Sequence, residues 1–371
     1  MSELIKILGR SEYNPNSQMP LSGVEYHRQY MPFEYLSNTG AITHNFDNNN
    51  LTLNDGSPVD LSIYNLYHVV RKDVRVDKDG NWSDAHNITK AKAYGLPTII
   101  DFDDHWTLDS THALYNYYKR NNVAKLSIDW LQRCDAVTCT TERLASHIRK
   151  YHSNVTVIPN TIHPLLEQFV WSIADLEPRE KVNIGWVGSL HHVNDITMLA
   201  EFFRKYWLSA LPQTSSMVMG GYVEGQTNYQ LIANIMAGNK NNPLEVMNAL
   251  PATAYAKMYQ HIDIALAPLA DNEFNRCKSE LKIIEAGHFG IPVIASDVYP
   301  YNTVIKHGVN GYLIKNSKDS YKQWLKYVNI LVNEPAHRFH MGQNLKQTIL
   351  KDFNIKDSSQ KRLTLYRELC K

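Results

Sequence analysis

Short apolar runs alternate along the chain with longer segments in which apolar residues recur at helical spacing. The clearest short runs cover residues 64–71, 97–102, 136–140, 155–159, 182–187, 216–221, 262–269 and 292–295. Short apolar runs bounded by turn residues indicate buried strands, and the longer amphipathic segments indicate helices. Strands that alternate with helices form parallel sheets covered by those helices. The pattern therefore predicts an α/β fold of Rossmann type.

Residues 255–297 contain a complete strand–loop–helix–strand unit. Apolar strands at 262–269 and 292–295 enclose a polar loop at 271–276 and a helix at 279–288. Such a unit is the building block of a doubly wound sheet. The amino end of its helix suits a phosphate group, because the first N–H groups lack partners and the helix dipole is positive there.

Charged residues at this helix start fit a nucleotide sugar. Arg276, Lys278 and Lys282 are cations suited to a diphosphate, and Glu285 lies on roughly the same helix face as Lys278. A carboxylate in that place can accept hydrogen bonds from two ribose hydroxyls. The other interpretation is a solvated ion pair, which Lys and Glu often form at this spacing.

Two further predicted strands end in candidate ligand-binding residues. The strand at 182–187 is followed by Gly188-Ser189 at the start of a helix, which predicts a second phosphate cradle. The strand at 97–102 ends in a group of acid–base or metal candidates, namely Asp101, Asp103, Asp104 and His105. Ligands of open α/β sheets bind at the carboxyl ends of strands. One or two of these aspartates could instead cap the segment that follows.

The N-terminal region carries two local signals. Gly23 opens a predicted helix at 24–38, and Pro32 inside that helix predicts a kink or a break. Residues 73–82 contain an Asp-Gly turn signal and predict a hairpin.

The segment from Asp263 to Ser296 resembles the donor-binding segment of retaining glycosyltransferases with the GT-B fold (family 4-like, or group 1). The motifs are D-I-A-L-x-P at the strand and K…E-A-x-x-x-G-x-P-V-I-A-S through the helix. The resemblance implies that Lys278 neutralises the diphosphate leaving group and that Glu285 holds the ribose. Cys277 stands where the family often has a glutamate, and N-x-C-K-S in this loop is closest in style to phage-encoded members.

Other motifs extend the resemblance over both halves of the chain. They are G-x-x-x-H-R-x-x-x-P from Gly23, V-I-P-N-x-I from Val157 and G-S-x-x-H-x-x-D from Gly188. The implied donor-binding residues are Gly188, Ser189, His192, Arg276, Lys278, Ser279 and Glu285. The implied catalytic residues are Lys278, Asp103, Asp104 and His105, of which the last three would face the cleft near the acceptor. The acceptor-side candidates are Gly23 and Arg28.

The resemblance also implies a GT-B architecture, in which two Rossmann-like domains face a central cleft. The expected parts are an N-terminal acceptor-binding domain (1–162), a linker (163–181), a C-terminal nucleotide-sugar domain (182–355) and a last helix (356–371) packed back on the N-terminal domain. Retaining enzymes of this kind need no protein nucleophile, so we expect no cofactor and no metal ligands. A role for a divalent metal stays open because of the aspartates at 101–104.

Composition and charge indicate which class of protein and which cellular compartment to expect. The chain has 371 residues, a net charge of +1 and 43% hydrophobic residues, which suits a soluble protein of two domains. The small net charge argues against a mainly electrostatic nucleic-acid binder but allows a local basic groove. No apolar run reaches the ~18 residues of a membrane span. Four scattered cysteines and no signal-peptide pattern favour a reduced, cytoplasmic protein, which we expect to be a monomer or a weak dimer.

The predicted function is transfer of a sugar from a nucleotide-diphosphate sugar, such as a UDP-sugar, to an acceptor hydroxyl with retention. The similarity to phage members suggests 5-hydroxymethylpyrimidine in DNA as the acceptor, and a cell-surface polysaccharide or a lipid is the alternative. Two other classes stay open. Cys277 favours a non-catalytic nucleotide-sugar-binding protein, and the same fold also serves sugar-nucleotide epimerases.

Overall fold

The chain folds into two Rossmann-like domains, each built on a six-stranded sheet in which all neighbouring strands are parallel. This computed structural model describes residues 4–11, 22–48, 51–52, 57–177, 179–238 and 243–371. The predicted α/β fold with the GT-B arrangement is therefore confirmed. Within the described residues, no helix has both the length and the apolar character needed to cross a membrane.

The N-terminal sheet has the strand order β2-β1-β3-β6-β7-β8. Its strands, together with the separate hairpin β4–β5, are β1 (Ile5–Ser11), β2 (Ile42–Asn48), β3 (Leu66–Val70), β4 (Val74–Val76), β5 (Trp82–Asp84), β6 (Thr98–Phe102), β7 (Ala136–Cys139) and β8 (Val155–Val157). The helices of this domain are α1 (Gly23–Glu25), a π-helical turn (Tyr26–Tyr30), α2 (Met31–Asn38), α3 (Asn87–Ala93), α4 (Tyr115–Arg120), α5 (Val123–Arg133) and α6 (Glu142–Ile148), with a 3₁₀ turn at Leu61–Ile63.

The C-terminal sheet has the strand order β11-β10-β9-β12-β13-β14. Its strands are β9 (Val182–Val187), β10 (Ser215–Tyr222), β11 (Glu245–Asn248), β12 (Ile264–Ala267), β13 (Val293–Ser296) and β14 (Tyr312–Ile314). Its α-helices are α7 (Val193–Thr197), α8 (Ala200–Trp207), α9 (Thr227–Met236), α10 (Glu273–Arg276), α11 (Leu281–His288), α12 (Tyr301–Val304), α13 (Ser320–Asn333) and α14 (Pro335–Asp352). Shorter 3₁₀ helices cover Glu167–Phe169, Ile173–Asp175, Leu190–His192, Leu211–Gln213 and Tyr255–His261.

The last helix, α15 (Ile355–Leu369), lies on the N-terminal domain although it follows the C-terminal one. Leu363 and Tyr366 share a hydrophobic cluster with Ile7 of β1 and Phe33 of α2. The chain thus crosses between the domains twice, once between β8 and β9 and once between α14 and α15.

The helix that begins at Gly23 carries a π-helical turn rather than a simple kink. Ser22 and Glu25 form a capping box that starts it. The π-helical turn then lies directly before α2, which has Pro32 in its first turn. Because proline has no N–H and crowds the preceding turn, the wider turn accommodates it without ending the helix.

Two other local predictions can be compared with the structure. The hairpin predicted at 73–82 is present as β4 and β5, which pair antiparallel. The prediction of a loop at 271–276 was wrong, since α10 lies there. Asn272 caps this short helix by accepting a hydrogen bond from the N–H of Asn275 at 2.9 Å.

Candidate active site

The candidate site lies where the two domains meet, at the carboxyl ends of their parallel strands. Several polar contacts join the domains there. Lys278 Nζ lies 3.4 Å from Asp104 Oδ1, and Asn160 Nδ2 donates to Ser279 Oγ at 2.9 Å. Asn194 Nδ2 donates to the carbonyl of a loop residue in the N-terminal domain at 2.8 Å. Residues from both domains therefore form one continuous polar surface.

Glycines at the end of β9 allow a close approach of backbone and lysine. A Cβ atom on Gly188 would lie 2.4 Å from the Trp186 ring and 2.8 Å from Lys282 Nζ. Gly221 has φ +97°, and a Cβ there would lie 2.6 Å from the Gly188 carbonyl oxygen. Both positions therefore need glycine for steric reasons. Turns in which the backbone closely approaches a ligand need glycine for the same reason.

Two ammonium groups flank the amino end of α11. Lys278 Nζ lies 4.5 Å from the centre of the Phe274 ring in addition to its contact with Asp104. Lys282 Nζ donates to the Val187 carbonyl at 2.5 Å, and burial lowers the pKa of Lys282 to about 8 although Glu285 opposes this shift. Two cations beside a helix start make a site for a doubly charged anion.

Glu285 lies farther along α11 and is buried. Both carboxylate oxygens accept hydrogen bonds from tyrosine hydroxyls, Oε1 from Tyr255 and Oε2 from Tyr259 at 2.9 Å. His27, from the π-helical turn of the other domain, brings Nε2 to 3.7 Å from Oε1. Burial raises the pKa of Glu285 to about 7, although the tyrosine hydrogen bonds and Lys282 lower it. The carboxylate is therefore already surrounded by hydroxyl donors.

His192 is held by a hydrogen-bond network that joins three segments of the C-terminal domain. Its Nδ1 donates to Asp195 Oδ2 at 2.7 Å, and Asp195 Oδ1 accepts from the Ala270 N–H at 2.7 Å and from Asn275 Nδ2 at 3.1 Å. Burial, and secondly Lys282, lower the pKa of His192 to about 4. The ring is thus neutral and fixed in orientation.

The acidic group at the end of β6 is neutralised from both domains. Arg71 donates to both carboxylate oxygens of Asp103 and, through Nη2, to Asp104 Oδ2 at 2.6 Å. Burial opposes ionisation of Asp104, but Lys278 and Arg71 outweigh it and hold the pKa of Asp104 below its ordinary value. Burial, and then the charge of Asp104, raise the pKa of Asp103 although Arg71 opposes this. Asp104 is thus held in its ionised form and faces the other domain.

A cavity of about 270 Å³ lies beside this acidic group in the N-terminal domain. Asp104 and Arg71 form part of its wall, and so does His105. Five aromatic residues also line it, together with small, aliphatic and charged residues that include Arg10, Glu25 and Lys72; the aromatic ones are Trp82, Phe102, Trp106, Tyr117 and Tyr118. Because Asp104 also contacts Lys278, one carboxylate connects the cavity with the cationic end of α11.

The predicted residue His105 lies in the cavity wall and away from Lys278. Its ring stacks on Trp106 at 4.6 Å and meets the His147 ring edge-on, also at 4.6 Å. Nδ1 accepts a hydrogen bond from the N–H of Thr107 at 3.0 Å. Burial, and then His147, lower the pKa of His105 to about 4, so the ring is neutral.

Arg28, predicted on the acceptor side, is fully buried and does not line the cleft. It forms a two-bond pair with Asp101 at 2.8 Å and also donates to the Ile158 carbonyl at 2.8 Å and to Asn160 Oδ1 at 3.0 Å. We therefore correct the expected role of Arg28 from ligand contact to structural support. Its guanidinium holds the ends of β6 and β8 together.

Three other predicted residues are partly or fully exposed to solvent. Gly23 is exposed, and a Cβ there would meet nothing within 4 Å. Ser189 is exposed beside His191. Arg276 is 43% exposed and pairs with Asp271 at 2.7 Å, so the structure does not bring it to Lys278.

Cys277 faces away from the donor side. Its side chain is fully buried among apolar residues of the N-terminal domain, and burial raises the pKa of its thiol to about 12. Together with His147 and Glu273 it forms the single group within the described part of the chain whose spacing could hold a metal ion. Arg143 donates to both oxygens of Glu273, at 2.9 and 2.7 Å, and this cation disfavours a metal there.

Several residues of the site were not in the predicted set. Lys282 was predicted as a cation of this helix start but was not among the implied donor-binding residues. Arg71 was not predicted, but the sequence carried a usable signal for it, because it stands at the end of a predicted strand. Tyr255 and Tyr259 had none, because the folding of the C-terminal domain brings them to Glu285. His27 belongs to the G-x-x-x-H-R motif, but only the packing of the two domains places it beside Glu285.

Comparison with known proteins identifies this arrangement. Residues 171–348 match the family described as Glycosyl transferases group 1. Residues 171–348, about half of the chain, belong to the group 1 glycosyltransferases. This segment covers the glycine turn, His192 and the whole of α11, so the predicted family is confirmed. No curated protein matches the chain over its sequence.

Solved structures of GT-B glycosyltransferases share the fold over nearly the whole chain. Sucrose-phosphate synthase from Thermosynechococcus elongatus has a TM-score of 0.70 at 15% identity, covering 98% of this chain and 99% of that one. Anabaena HepE in complex with UDP-glucose has a TM-score of 0.58 at 13% identity, covering 98% and 99%. An alpha-glucosyltransferase in complex with UDP and a 13-mer DNA containing a HMU base has a TM-score of 0.64 at 10% identity, covering 98% and 100%. At these identities the likeness establishes the fold alone.

Proposed function

We propose that this glycosyltransferase moves a sugar from a UDP-sugar to an acceptor hydroxyl, with retention at the anomeric carbon. The observation that carries the proposal is the 3.4 Å contact between Lys278 and Asp104. It joins a cation near the amino end of α11 to a carboxylate in the wall of a cavity that is lined in part by aromatic side chains. A donor and an acceptor bound on its two sides would meet at this point.

The donor diphosphate would lie between the glycine turn and the amino end of α11. Lys278 and Lys282 would neutralise the charge that develops as the glycosidic bond breaks, and preorganised cations of this kind stabilise a leaving group efficiently. Glu285 would bind the ribose hydroxyls. Tyr255 and Tyr259 occupy its oxygens in the ligand-free protein, so ribose would take over at least one of these hydrogen bonds.

Binding of the diphosphate would also prepare the acceptor side. Lys278 would turn from Asp104 to the phosphate, which frees one carboxylate oxygen for the acceptor hydroxyl. Arg71 keeps Asp104 in place during this exchange. The departing phosphate would take the proton of the acceptor, so no protein nucleophile is needed.

As the acceptor we propose a 5-hydroxymethylpyrimidine in DNA. A cavity of about 270 Å³ that includes five Trp, Tyr and Phe side chains in its lining suits one flat ring, which can stack on those side chains. The DNA-bound alpha-glucosyltransferase of the same fold supports this choice. A polysaccharide or lipid acceptor is the alternative, since an aromatic wall also suits a sugar ring.

The test is transfer of label from UDP-sugars to DNA. Purified protein is incubated with radiolabelled UDP-glucose, UDP-galactose and UDP-N-acetylglucosamine and with duplexes that contain 5-hydroxymethylcytosine, 5-hydroxymethyluracil or no modified base. We expect label only in the hydroxymethylated duplexes and none with Lys278→Ala. Donor hydrolysis without labelled DNA would exclude this acceptor but keep the enzyme. Donor binding without any turnover would favour the non-catalytic class.

A further inference from the structure

The interface between α15 and the N-terminal sheet contains a buried group of unpaired hydrogen-bond donors. Arg362 Nε and Nη1, Tyr366 Oη and Ser359 Oγ make no regular hydrogen bond among the described residues. Arg362 and the Tyr366 hydroxyl are close enough to interact with each other. These side chains share one face of α15 and are at most 1% exposed. His68 of β3 faces the same place, with its ring centre 6.1 Å from that of Tyr366, and its Nε2 is also unpaired.

The hydrogen bonds of Gln29 determine which nitrogen of His68 carries the proton. Gln29 Nε2 donates to the carbonyl oxygen of His68 at 2.7 Å, so this atom is the amide nitrogen. The same nitrogen lies 2.9 Å from His68 Nδ1, which must therefore accept. Burial lowers the pKa of His68 to about 3, so the ring is neutral. The proton consequently sits on Nε2, and His68 presents one more donor to the group.

The buried charges at this interface do not balance. Asp101 pairs with Arg28 through two hydrogen bonds and lies 3.8 Å from Arg362 Nη1. Thr138 also donates to Asp101. Two guanidinium groups thus share one carboxylate, which leaves an excess of one positive charge in a region closed to solvent. Unpaired buried charge is costly, so a compensating anion is favoured there.

We propose that Arg362, Tyr366, His68 and Ser359 bind a small monovalent anion, which would be chloride in ordinary salt solutions. A halide accepts several hydrogen bonds and donates none, and the guanidinium, the two hydroxyls and the Nε2–H of His68 can all donate to it. The hydroxyl oxygens and Gln29 Oε1 could accept from a water molecule, but a neutral water would leave the second guanidinium without a counter-charge. The anion would fasten α15 to the N-terminal domain, and this inference does not depend on the sugar or the acceptor.

The test combines thermal unfolding with crystallography on the full chain. We expect chloride to raise Tm by about 2–4 °C over gluconate at equal ionic strength. Arg362→Met should lose this difference, and Arg149→Met, which removes an exposed arginine, should keep it. Tyr366→Phe keeps the ring and deletes one donor, so it should reduce the difference even if Arg362→Met does not fold.

Crystals grown in sodium bromide locate the ion directly. We expect an anomalous peak between Arg362, Tyr366 and His68. The absence of this peak, or the same Tm in chloride and gluconate for the unaltered protein, would overturn the proposal in favour of bound water.

Discussion

At the scale of single residues, burial sets the ionisation of the proposed donor site. Glu285 and Lys282 lie on the same helix, and burial moves their pKa values towards each other, to about 7 and about 8. A carboxylate and an ammonium with such values are both charged over a narrow range only. The spacing of Lys278 and Glu285 was visible in the sequence, but these shifts depend on what covers the two groups.

Donor use should therefore show a narrow pH optimum. Glu285 has a raised pKa, so its carboxylate is lost as pH falls through about 7. Lys282 has a lowered pKa, so its positive charge is lost as pH rises through about 8. We expect kcat/KM for the UDP-sugar to fall on both sides of pH 7–8, and Glu285→Gln to lower it and abolish the acid limb. A profile that is flat from pH 6 to 9 would contradict the assignment.

The Arg28–Asp101 pair should contribute to stability rather than to ligand binding. Arg28→Met removes both hydrogen bonds to a fully buried carboxylate. Breaking a buried pair in this way costs about 3–5 kcal/mol. We expect a loss of this size in the free energy of unfolding, measured with urea, while Arg149→Met changes it by less than ~0.5 kcal/mol. An increase in KM at unchanged stability would restore the predicted ligand contact.

At the scale of elements, the helix start and the glycine turn were predictable because their signals are local. A strand followed by Gly188-Ser189, and a strand followed by lysines on α11, are recognisable from neighbouring residues. For the segment around Pro32 the sequence predicted only a kink or a break, and not the π-helical turn that precedes this proline. Its consequence, the position of His27 beside Glu285, depends on the other domain.

The two glycines of the predicted site should differ sharply when replaced by alanine. In Gly188→Ala the new methyl group would displace Lys282 or Trp186, so we expect the KM for the UDP-sugar to rise by about tenfold, a change of about 1.4 kcal/mol. Gly23→Ala adds a methyl group in open space and serves as the matched control. Steady-state kinetics with varied donor measure both. Equal effects of the two substitutions would show that the steric role of Gly188 is wrong.

At the scale of the whole molecule, the proposed site exists only because the domains meet. Asp104 and Lys278 lie 174 residues apart in the chain, and Asn160 and Ser279 lie 119 apart. The cleft was expected from the family resemblance, whereas these individual contacts were not. A ligand that binds between the domains can therefore exchange one cross-domain contact for another.

Asp104→Asn should separate donor binding from transfer. Without the charge of Asp104, Lys278 is free for the diphosphate, so we expect the Kd for UDP, measured calorimetrically, to be unchanged or lower. The acceptor hydroxyl loses a charged hydrogen-bond acceptor while the phosphate still takes its proton, so we expect kcat to fall by about 10–100-fold. Glu142→Gln, at an exposed ion pair with Arg149, should alter neither quantity. Weaker UDP binding with full kcat would exclude this role of Asp104.

The sequence by itself determined the alternation of strands and helices, the family motifs and the candidate donor residues just before and on α11, because hydrophobic periodicity and helix starts are properties of neighbouring residues. Only the tertiary structure decided that Arg28 is buried, that Arg71 neutralises the aspartates and that two tyrosines and His27 surround Glu285. Burial and long-range pairing set these features. Both depend on which surfaces pack together, and residue spacing along the chain does not contain that information.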